Sequence, residues 1–196
     1  RSPMQFREVT VQAHLPENLT KLRELAYNLW WVWNSDAKNL FRQIDNDAWH
    51  RAQSNPVLLL NMLGYDKLQE LSKNRSFMAQ LDSIYEEFTD YMRVPHSDRP
   101  SVAYFSMEYG LSSVLKIYSG GLGILAGDYL KEASDSNVDM TAIGFLYRYG
   151  YFTQMLSMDG QQIANYDAQD FDRLPLERVL DADGNQIIVD VPFPNY

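Results

Sequence analysis

Cysteine is absent from this 196-residue sequence, and its absence removes three kinds of chemistry. A disulfide framework, a thiolate metal site and a cysteine nucleophile are all excluded. Histidine is scarce as well, and His14, His50 and His96 lack the spacing of a metal site. We therefore expect neither a disulfide bond nor a bound metal.

Long apolar runs are also missing. No stretch approaches the ~20 apolar residues that a helix needs to cross a bilayer. The first residues lack the basic start and apolar run of a secretory signal. These absences predict a cytoplasmic protein without a membrane partner.

Positive charge is in short supply, with 17 Lys and Arg against 26 Asp and Glu and a net charge of −9. The imbalance is concentrated in residues 98–196, which hold 6 basic and 14 acidic residues. Nucleic acids and anionic membranes require a basic surface, so we expect neither as a partner. The negative charge would not repel an uncharged polymer. To bind phosphate, this half of the chain would need attraction from backbone amides or from residues outside this chain.

The first half of the sequence has helical periodicity. Residues 6–13 alternate loosely and predict a short strand. The apolar stripe that follows predicts one helix of about four turns, and it comprises Leu19, Leu22, Leu25, Ala26, Leu29, Trp30 and Trp33. Trp31 lies off this stripe, and we expect it to be exposed.

Capping signals predict the helices that follow. Asn34 can cap a helix, and Asn55 directly before Pro56 marks the start of another. Residues 65–73 and 77–91 predict two more helices, each with one apolar face. A compact helical unit is the result.

A polar linker bracketed by prolines occupies residues 95–100, and we place a domain boundary there. Residues 1–97 are predicted as a helical domain. Residues 98–196 begin with a strand at 101–106, a glycine loop, a helix at 124–134 and a strand at 138–146. That order predicts a βαβ unit with parallel strands, buried within a Rossmann-like domain.

The second domain is predicted to be incomplete, so the fold class is α+β with a truncated α/β part. Beyond the βαβ unit, residues 151–156 and 186–191 predict antiparallel hairpin strands. Residues 181–185 predict a turn, because they lack the glycine and closing glutamate of a calcium loop. With only two parallel strands, we expect an exposed apolar sheet face or edge, which the full protein would cover and which would lead to self-association or disorder in this chain.

The glycine loop at residues 119–123 (Ser-Gly-Gly-Leu-Gly) is the most informative motif. Three glycines directly before a helix leave consecutive amides bare, and with the helix dipole they form an anion site suited to phosphate. A tight turn that merely needs glycine is the alternative. The loop is neither a Walker motif nor the dinucleotide fingerprint, whose third glycine would fall at Leu125.

Two other features have a functional and a structural interpretation. Glu108 follows the first parallel strand, at the end of the sheet where such folds hold ligands, although it could equally be a solvated loop residue. The aromatic residues of 147–152 could stack on sugar rings, but an ordinary strand and turn is favoured. The tryptophans at 30 and 33 are assigned to the core.

At these motifs the sequence resembles the bacterial and archaeal branch of the α-glucan (glycogen, starch, maltodextrin) phosphorylases, glycosyltransferase family 35. The matching stretches are residues 15–19, 22–31, 102–111, 118–128 and 144–154. The resemblance implies that residues 98–196 begin the N-terminal lobe of a GT-B fold and that the chain is an N-terminal fragment. It implies cleavage of terminal α-1,4-glucosidic bonds by inorganic phosphate, which gives glucose 1-phosphate.

The resemblance also implies a cofactor and site residues. The cofactor is pyridoxal 5′-phosphate, whose phosphate group performs proton transfer and whose attachment lysine lies in the missing C-terminal lobe. Gly120, Gly121 and Leu122 take the role of the loop beside the substrate phosphate and sugar, and Glu108 borders the cofactor pocket. No catalytic residue is implied in this segment, so we expect the isolated chain to be inactive.

Two alternatives remain open. A GT-B glycogen synthase has a similar glycine loop, but its lysine two positions before the first glycine corresponds to Tyr118 here. A non-catalytic glucan-binding or docking module is the second alternative, and the tryptophan-rich helical unit is its only support.

Overall fold

The computed structural model describes residues 14–192 and 194, so the strand predicted at residues 6–13 lies outside the described residues. Its first half is helical, as the periodicity predicts. Two 3-10 turns, Glu17–Leu19 and Leu29–Val32, accompany helices α1 (Thr20–Tyr27), α2 (Ser35–Ile44), α3 (Asn46–Arg51), α4 (Pro56–Met62), α5 (Tyr65–Lys73) and α6 (Arg75–Arg93). Periodicity does not predict α3, because six residues are too few to show it.

Side-chain caps begin four of these helices. Amides in the first turns of α2, α3, α4 and α6 donate to the side chains of Asn34, Asp45, Asn55 and Asn74. The helix starts predicted at Asn34 and Asn55 are therefore confirmed. Such caps satisfy amides that have no partner within the helix.

The single four-turn helix predicted over residues 19–33 is wrong. At Asn28 the backbone becomes extended (φ −94°, ψ 125°), and the Asn28 side chain accepts a hydrogen bond from the Trp30 amide. The chain changes direction there, so Trp31 is buried and packs edge-to-face on Trp49. The prediction that Trp31 is exposed is therefore also wrong.

All six helices contribute to one apolar core. Its members include Leu22, Leu25, Phe41, Ile44, Trp49, Leu60, Leu68 and Leu81. Trp30 is buried in the same core, which confirms its predicted place. Trp33 is half-buried and packs against the core.

The predicted βαβ unit is confirmed. Strand β1 (Val102–Phe105) pairs in parallel with β2 (Met140–Ile143), and helix α7 (Gly121–Asp135) lies between them in sequence. The prediction that the first strand is buried is wrong for this chain, because Phe105 in β1 is 71% exposed. The predicted exposure of an apolar sheet is thus confirmed.

A second sheet differs from its prediction in one strand. The strand predicted at residues 151–156 is β3 (Thr153–Leu156), which pairs antiparallel with β4 (Gln162–Asn165). Residues 186–191 form no strand, although Gln186 makes a single antiparallel bridge with Leu180. The turn at residues 181–185 is confirmed, with Gly184 at a φ of +81° that favours glycine. A 3-10 turn at Phe171–Arg173 follows β4.

The two halves of the chain share a core. Val114, Leu115 and Leu174 belong to the same buried cluster as the helices. Packing therefore crosses the boundary predicted between residues 97 and 98, and the division into two domains stays a prediction. The observed architecture is α+β, with a helical half and two small sheets.

Candidate functional site

The glycine loop and Glu108 lie together at the carboxyl end of the parallel strands. α7 begins at Gly121, directly after Gly120, and no side chain caps it. Glu108 follows β1 by three residues. The loop therefore lies where open α/β sheets hold ligands.

Two hydrogen bonds join Glu108 to the start of the loop. Oε1 of Glu108 lies 2.8 Å from the Ser119 hydroxyl, and its Oε2 accepts a hydrogen bond of 3.2 Å from the Ser119 amide. The hydrogen bonds from the Ser119 side chain and amide lower the pKa of Glu108, and the nearby amides of Gly120 and Gly123 add smaller contributions in the same direction. The ionised carboxylate thus faces the positive end of the α7 dipole.

This contact corrects the prediction that the loop amides are bare. The Ser119 amide is occupied by Glu108, and the amides of Gly120 and Gly123 also face this carboxylate. The outer side of the loop is open, because a Cβ built on Gly120 or Gly121 would have nothing within 4 Å. Leu122 is exposed beside them. The three predicted substrate-binding residues therefore share one open surface, with Glu108 on its inner side.

Close backbone packing holds α7 against the segment after β1. The Gly110 amide donates a 2.6 Å hydrogen bond to the Gly123 carbonyl, and a Cβ on Gly127 would collide with the Gly110 carbonyl. A Cβ on Gly123 would lie 2.5 Å from Tyr118 Cβ and 3.0 Å from Glu108 Oε2. The glycine-loop motif does not predict this packing role, for which the four-residue spacing of Gly123 and Gly127 is the sequence signal.

Tyrosines connect the loops around the site. The buried Tyr109 hydroxyl donates to the Tyr104 carbonyl, and burial raises the pKa of Tyr109. The Tyr147 hydroxyl donates to the Met107 carbonyl across 3.0 Å. A Cβ on Gly144 would lie 2.9 Å from the Tyr109 ring. The segments after β1 and β2 are thus fixed to each other beside Glu108.

The remaining candidates are settled by burial and contacts. Trp30 and Trp31 are buried, so their rings offer no open stacking surface. Trp33 is half-buried, and its indole nitrogen donates to Asp135. Tyr149 and Tyr151 are exposed, but they lie on a segment with much exposed apolar surface. Among residues 14–192 and 194, no group of three or more His, Cys, Asp or Glu side chains could hold a metal ion.

The chemistry of the site follows from these groups. An ionised carboxylate accepts hydrogen bonds from hydroxyls or cations and does not donate a proton. The open face of a helix start attracts anions. The arrangement therefore offers a hydrogen-bond acceptor at Glu108 and an open backbone surface at Gly120 and Gly121. No helix in the described part of the chain is long and apolar enough to cross a membrane.

Comparison with known proteins identifies the relatives of this chain. A family described as Protein of unknown function (DUF3417) matches residues 15–115. The glycogen phosphorylase of Mycobacterium tuberculosis (strain ATCC 25618 / H37Rv) is 40% identical over 95% of this chain and 23% of its own length. The maltodextrin phosphorylase of Thermococcus litoralis is 40% identical over 93% of this chain and 23% of its own length.

A further relative gives the same result. The glycogen phosphorylase of Aquifex aeolicus is 40% identical over 83% of this chain and 24% of its own length. The chain spans about a quarter of the length of these curated relatives. No solved structure matches it. The chain belongs to the family described as Protein of unknown function (DUF3417), and it is a homologue of glycogen and maltodextrin phosphorylases.

Proposed function

We propose that this chain is the N-terminal part of an α-glucan phosphorylase. The observation that carries the proposal is 40% identity, over 95% of the chain, to an enzyme named glycogen phosphorylase. In the complete enzyme, inorganic phosphate cleaves a terminal α-1,4-glucosidic bond. A bond forms between a phosphate oxygen and C1 of the terminal glucose, and the bond between C1 and the glycosidic oxygen breaks. The glycosidic oxygen becomes a hydroxyl of the shortened glucan.

In this proposal the glycine loop binds the substrate phosphate and sugar. The loop presents its backbone at an open surface formed by Gly120, Gly121 and Leu122. Side chains in place of the two glycines would occupy part of this surface. The acidic second half supplies few cations, so amides and the C-terminal lobe provide the attraction for phosphate. Glu108 keeps the loop in place and accepts hydrogen bonds from the substrate or cofactor side.

Pyridoxal 5′-phosphate is the cofactor that the proposal implies, and its phosphate group supplies proton transfer when bound. The carboxylate and backbone amides of the site can border its pocket through hydrogen bonds, but they cannot form a covalent bond to its aldehyde. Glu108 borders that pocket, and the attachment lysine belongs to the C-terminal lobe. That lobe, with the rest of the GT-B fold, would cover the exposed sheet in a cytoplasmic enzyme.

A pair of alanine substitutions tests the loop in a phosphorylase-length protein that carries this sequence. Gly121→Ala should lower kcat/KM for phosphate, because its methyl group occupies the open face where phosphate and backbone meet. Gly64→Ala is the matched control, since its Cβ also has nothing within 4 Å but lies at the start of α5. Wild-type kinetics in Gly121→Ala would remove the loop from the active site.

The docking-module alternative rests on the tryptophan-rich helical unit. Burial of Trp30, Trp31 and Trp49 in its core argues against it, because buried rings cannot stack on a glucan. The synthase alternative rested on the glycine loop, and the curated relatives described above are named phosphorylases. Phosphorolysis is therefore the function that the site and the relatives support best.

A further inference from the structure

The segment between Glu108 and the glycine loop enters the helical core. We name residues 111–117 the bridging loop. Its middle residues, Val114 and Leu115, are 9% and 5% exposed and belong to the same buried cluster as the helices. Ile117 packs against that cluster as well. Both ends of this loop lead to the candidate site, with Glu108 before it and Ser119 after it.

The bridging loop has a defined shape of its own. The Leu115 amide donates to the Ser112 carbonyl at 3.1 Å, and the Val114 amide donates to the Ser112 hydroxyl at 3.2 Å. The Gln169 side chain accepts from the Lys116 amide at 3.2 Å and donates to the Lys116 carbonyl at 3.1 Å. The loop is therefore held between the helical core on one side and the segment after β4 on the other.

The far end of α7 is also tied to the helical half. Oδ1 of Asp135 lies 3.1 Å from the Trp33 indole nitrogen, which donates to it, and 2.7 Å from the Tyr91 hydroxyl. The Tyr91 hydroxyl also lies 2.7 Å from the Ser134 hydroxyl. The helical half thus contacts the last residues of α7, while the bridging loop reaches the segment before its first residue.

From these contacts we propose that the helical half positions the candidate site by anchoring the bridging loop, with Leu115 as the principal positioning residue. The apolar anchors fix the path of the chain between Glu108 and Ser119. That path sets the distance between the carboxylate and the loop amides. Leu115 touches no substrate in this proposal and acts through Glu108 and Ser119.

The alternative is a helical half that only docks beside the site. If the helical half only docked beside the site, its contacts with the second half would lie outside the segment that joins Glu108 to Ser119. The structure instead places two buried anchors within that segment, four and five residues before Ser119. Without the helical core these apolar residues would face water, and the segment would lose the contacts that order it.

The inference rests on the proposed function for the role of the site, but not for its geometry. A failure of Gly121→Ala to change phosphorolysis would overturn the substrate role of the loop. It would leave the contact between Glu108 and Ser119 as it is. The two proposals are therefore tested by separate readouts.

The test uses the 196-residue chain and NMR titration of the Glu108 carboxyl, with the Ser119 amide shift as a second reporter. Leu115→Ala should raise the pKa of Glu108 toward its ordinary value, because the Ser119 hydrogen bonds that lower it lengthen. Leu71→Ala is the matched control. Leu71 is 6% exposed in the same core but lies in α5. It should leave both signals unchanged.

Two further variants keep the test decisive. Val114→Ala removes less volume and should raise the pKa of Glu108 in the same direction. This variant replaces Leu115→Ala in the test if Leu115→Ala does not fold. Leu115→Met should restore the wild-type titration, because it refills the anchor with similar volume. An unchanged Glu108 titration in folded Leu115→Ala or Val114→Ala would overturn the proposal. So would an equal shift in Leu71→Ala.

Discussion

The helical half and the α/β half of this chain differ in how far they bury their apolar side chains. Leu22, Leu40 and Leu81 in the helices have no exposed surface. In the strands, Phe105, Ile143 and Leu156 are all exposed. Helices with one apolar face can complete a core among themselves, whereas a parallel pair needs cover on both faces. The helical half therefore holds most of the buried core, to which Val114, Leu115 and Leu174 also belong, whereas the strands leave apolar side chains exposed.

The largest expected effect contrasts the same substitution in the two halves. Leu81→Ala should destabilise the chain by about 2–5 kcal/mol, since it opens a cavity in the core. Leu156→Ala should change the free energy of unfolding by less than about 0.5 kcal/mol, because its side chain is already in water. Urea unfolding of both variants measures this. Similar losses would contradict the comparison.

The second prediction contrasts two glycines of one loop. Gly123→Ala should destabilise the chain by about 1–3 kcal/mol, because its Cβ would lie 2.5 Å from Tyr118 Cβ and press on Glu108. Gly121→Ala should leave stability unchanged or slightly raised, since its Cβ meets nothing within 4 Å. Thermal unfolding of the two variants measures this difference in stability. A large loss in Gly121→Ala would show that the loop is structural throughout.

The third prediction concerns the contact between the halves at Tyr91. Burial, and then the hydrogen bond and negative charge of Asp135, raise the pKa of Tyr91 to about 12, although the hydrogen bond with Ser134 lowers it. A raised pKa in the folded state means that its stabilisation is present below pH 10 and is lost as pH rises through about 12. Tyr91→Phe should lower the free energy of unfolding by about 1 kcal/mol at neutral pH. The variant should also lose less stability than the wild type as the pH rises through about 12. Identical pH–stability curves for the two proteins would refute it.

The smallest effect is expected at Glu108. Hydrogen bonds from Ser119 lower its pKa below 4.5, so its stabilisation is present above that pH and is lost as pH falls through the folded-state pKa. Glu108→Gln should lack this acid dependence while it keeps the fold. Acid unfolding followed by circular dichroism compares the two. An acid transition of equal steepness in Glu108→Gln would argue against a stabilising contact between this carboxylate and Ser119.

Local signals explain which elements the sequence predicts. Asn34 and Asn55 carry their caps within three residues, so α2 and α4 can be located without knowledge of the fold. The turn at Gly184 and the βαβ order are local in the same sense. The break at Asn28 is different, because the apolar stripe continues across it in sequence although the helix does not.

The rest depends on contacts between distant residues. Glu108 meets Ser119 only because the bridging loop is folded back, and Gly110 meets Gly123 only through the packing of α7. The pattern does not predict β4, because its four residues become a strand only by pairing with β3. The glycine loop could be located from sequence, but its occupation by an internal carboxylate could not.

The release of glucose 1-phosphate from maltodextrin and inorganic phosphate tests the function most directly. A phosphorylase-length protein that carries this sequence should form glucose 1-phosphate and show pyridoxal absorbance. The 196-residue chain alone should show neither, because the site supplies amides and one carboxylate but no cofactor attachment. Absence of glucose 1-phosphate from the longer protein, or its formation by the isolated chain, would contradict the proposed function.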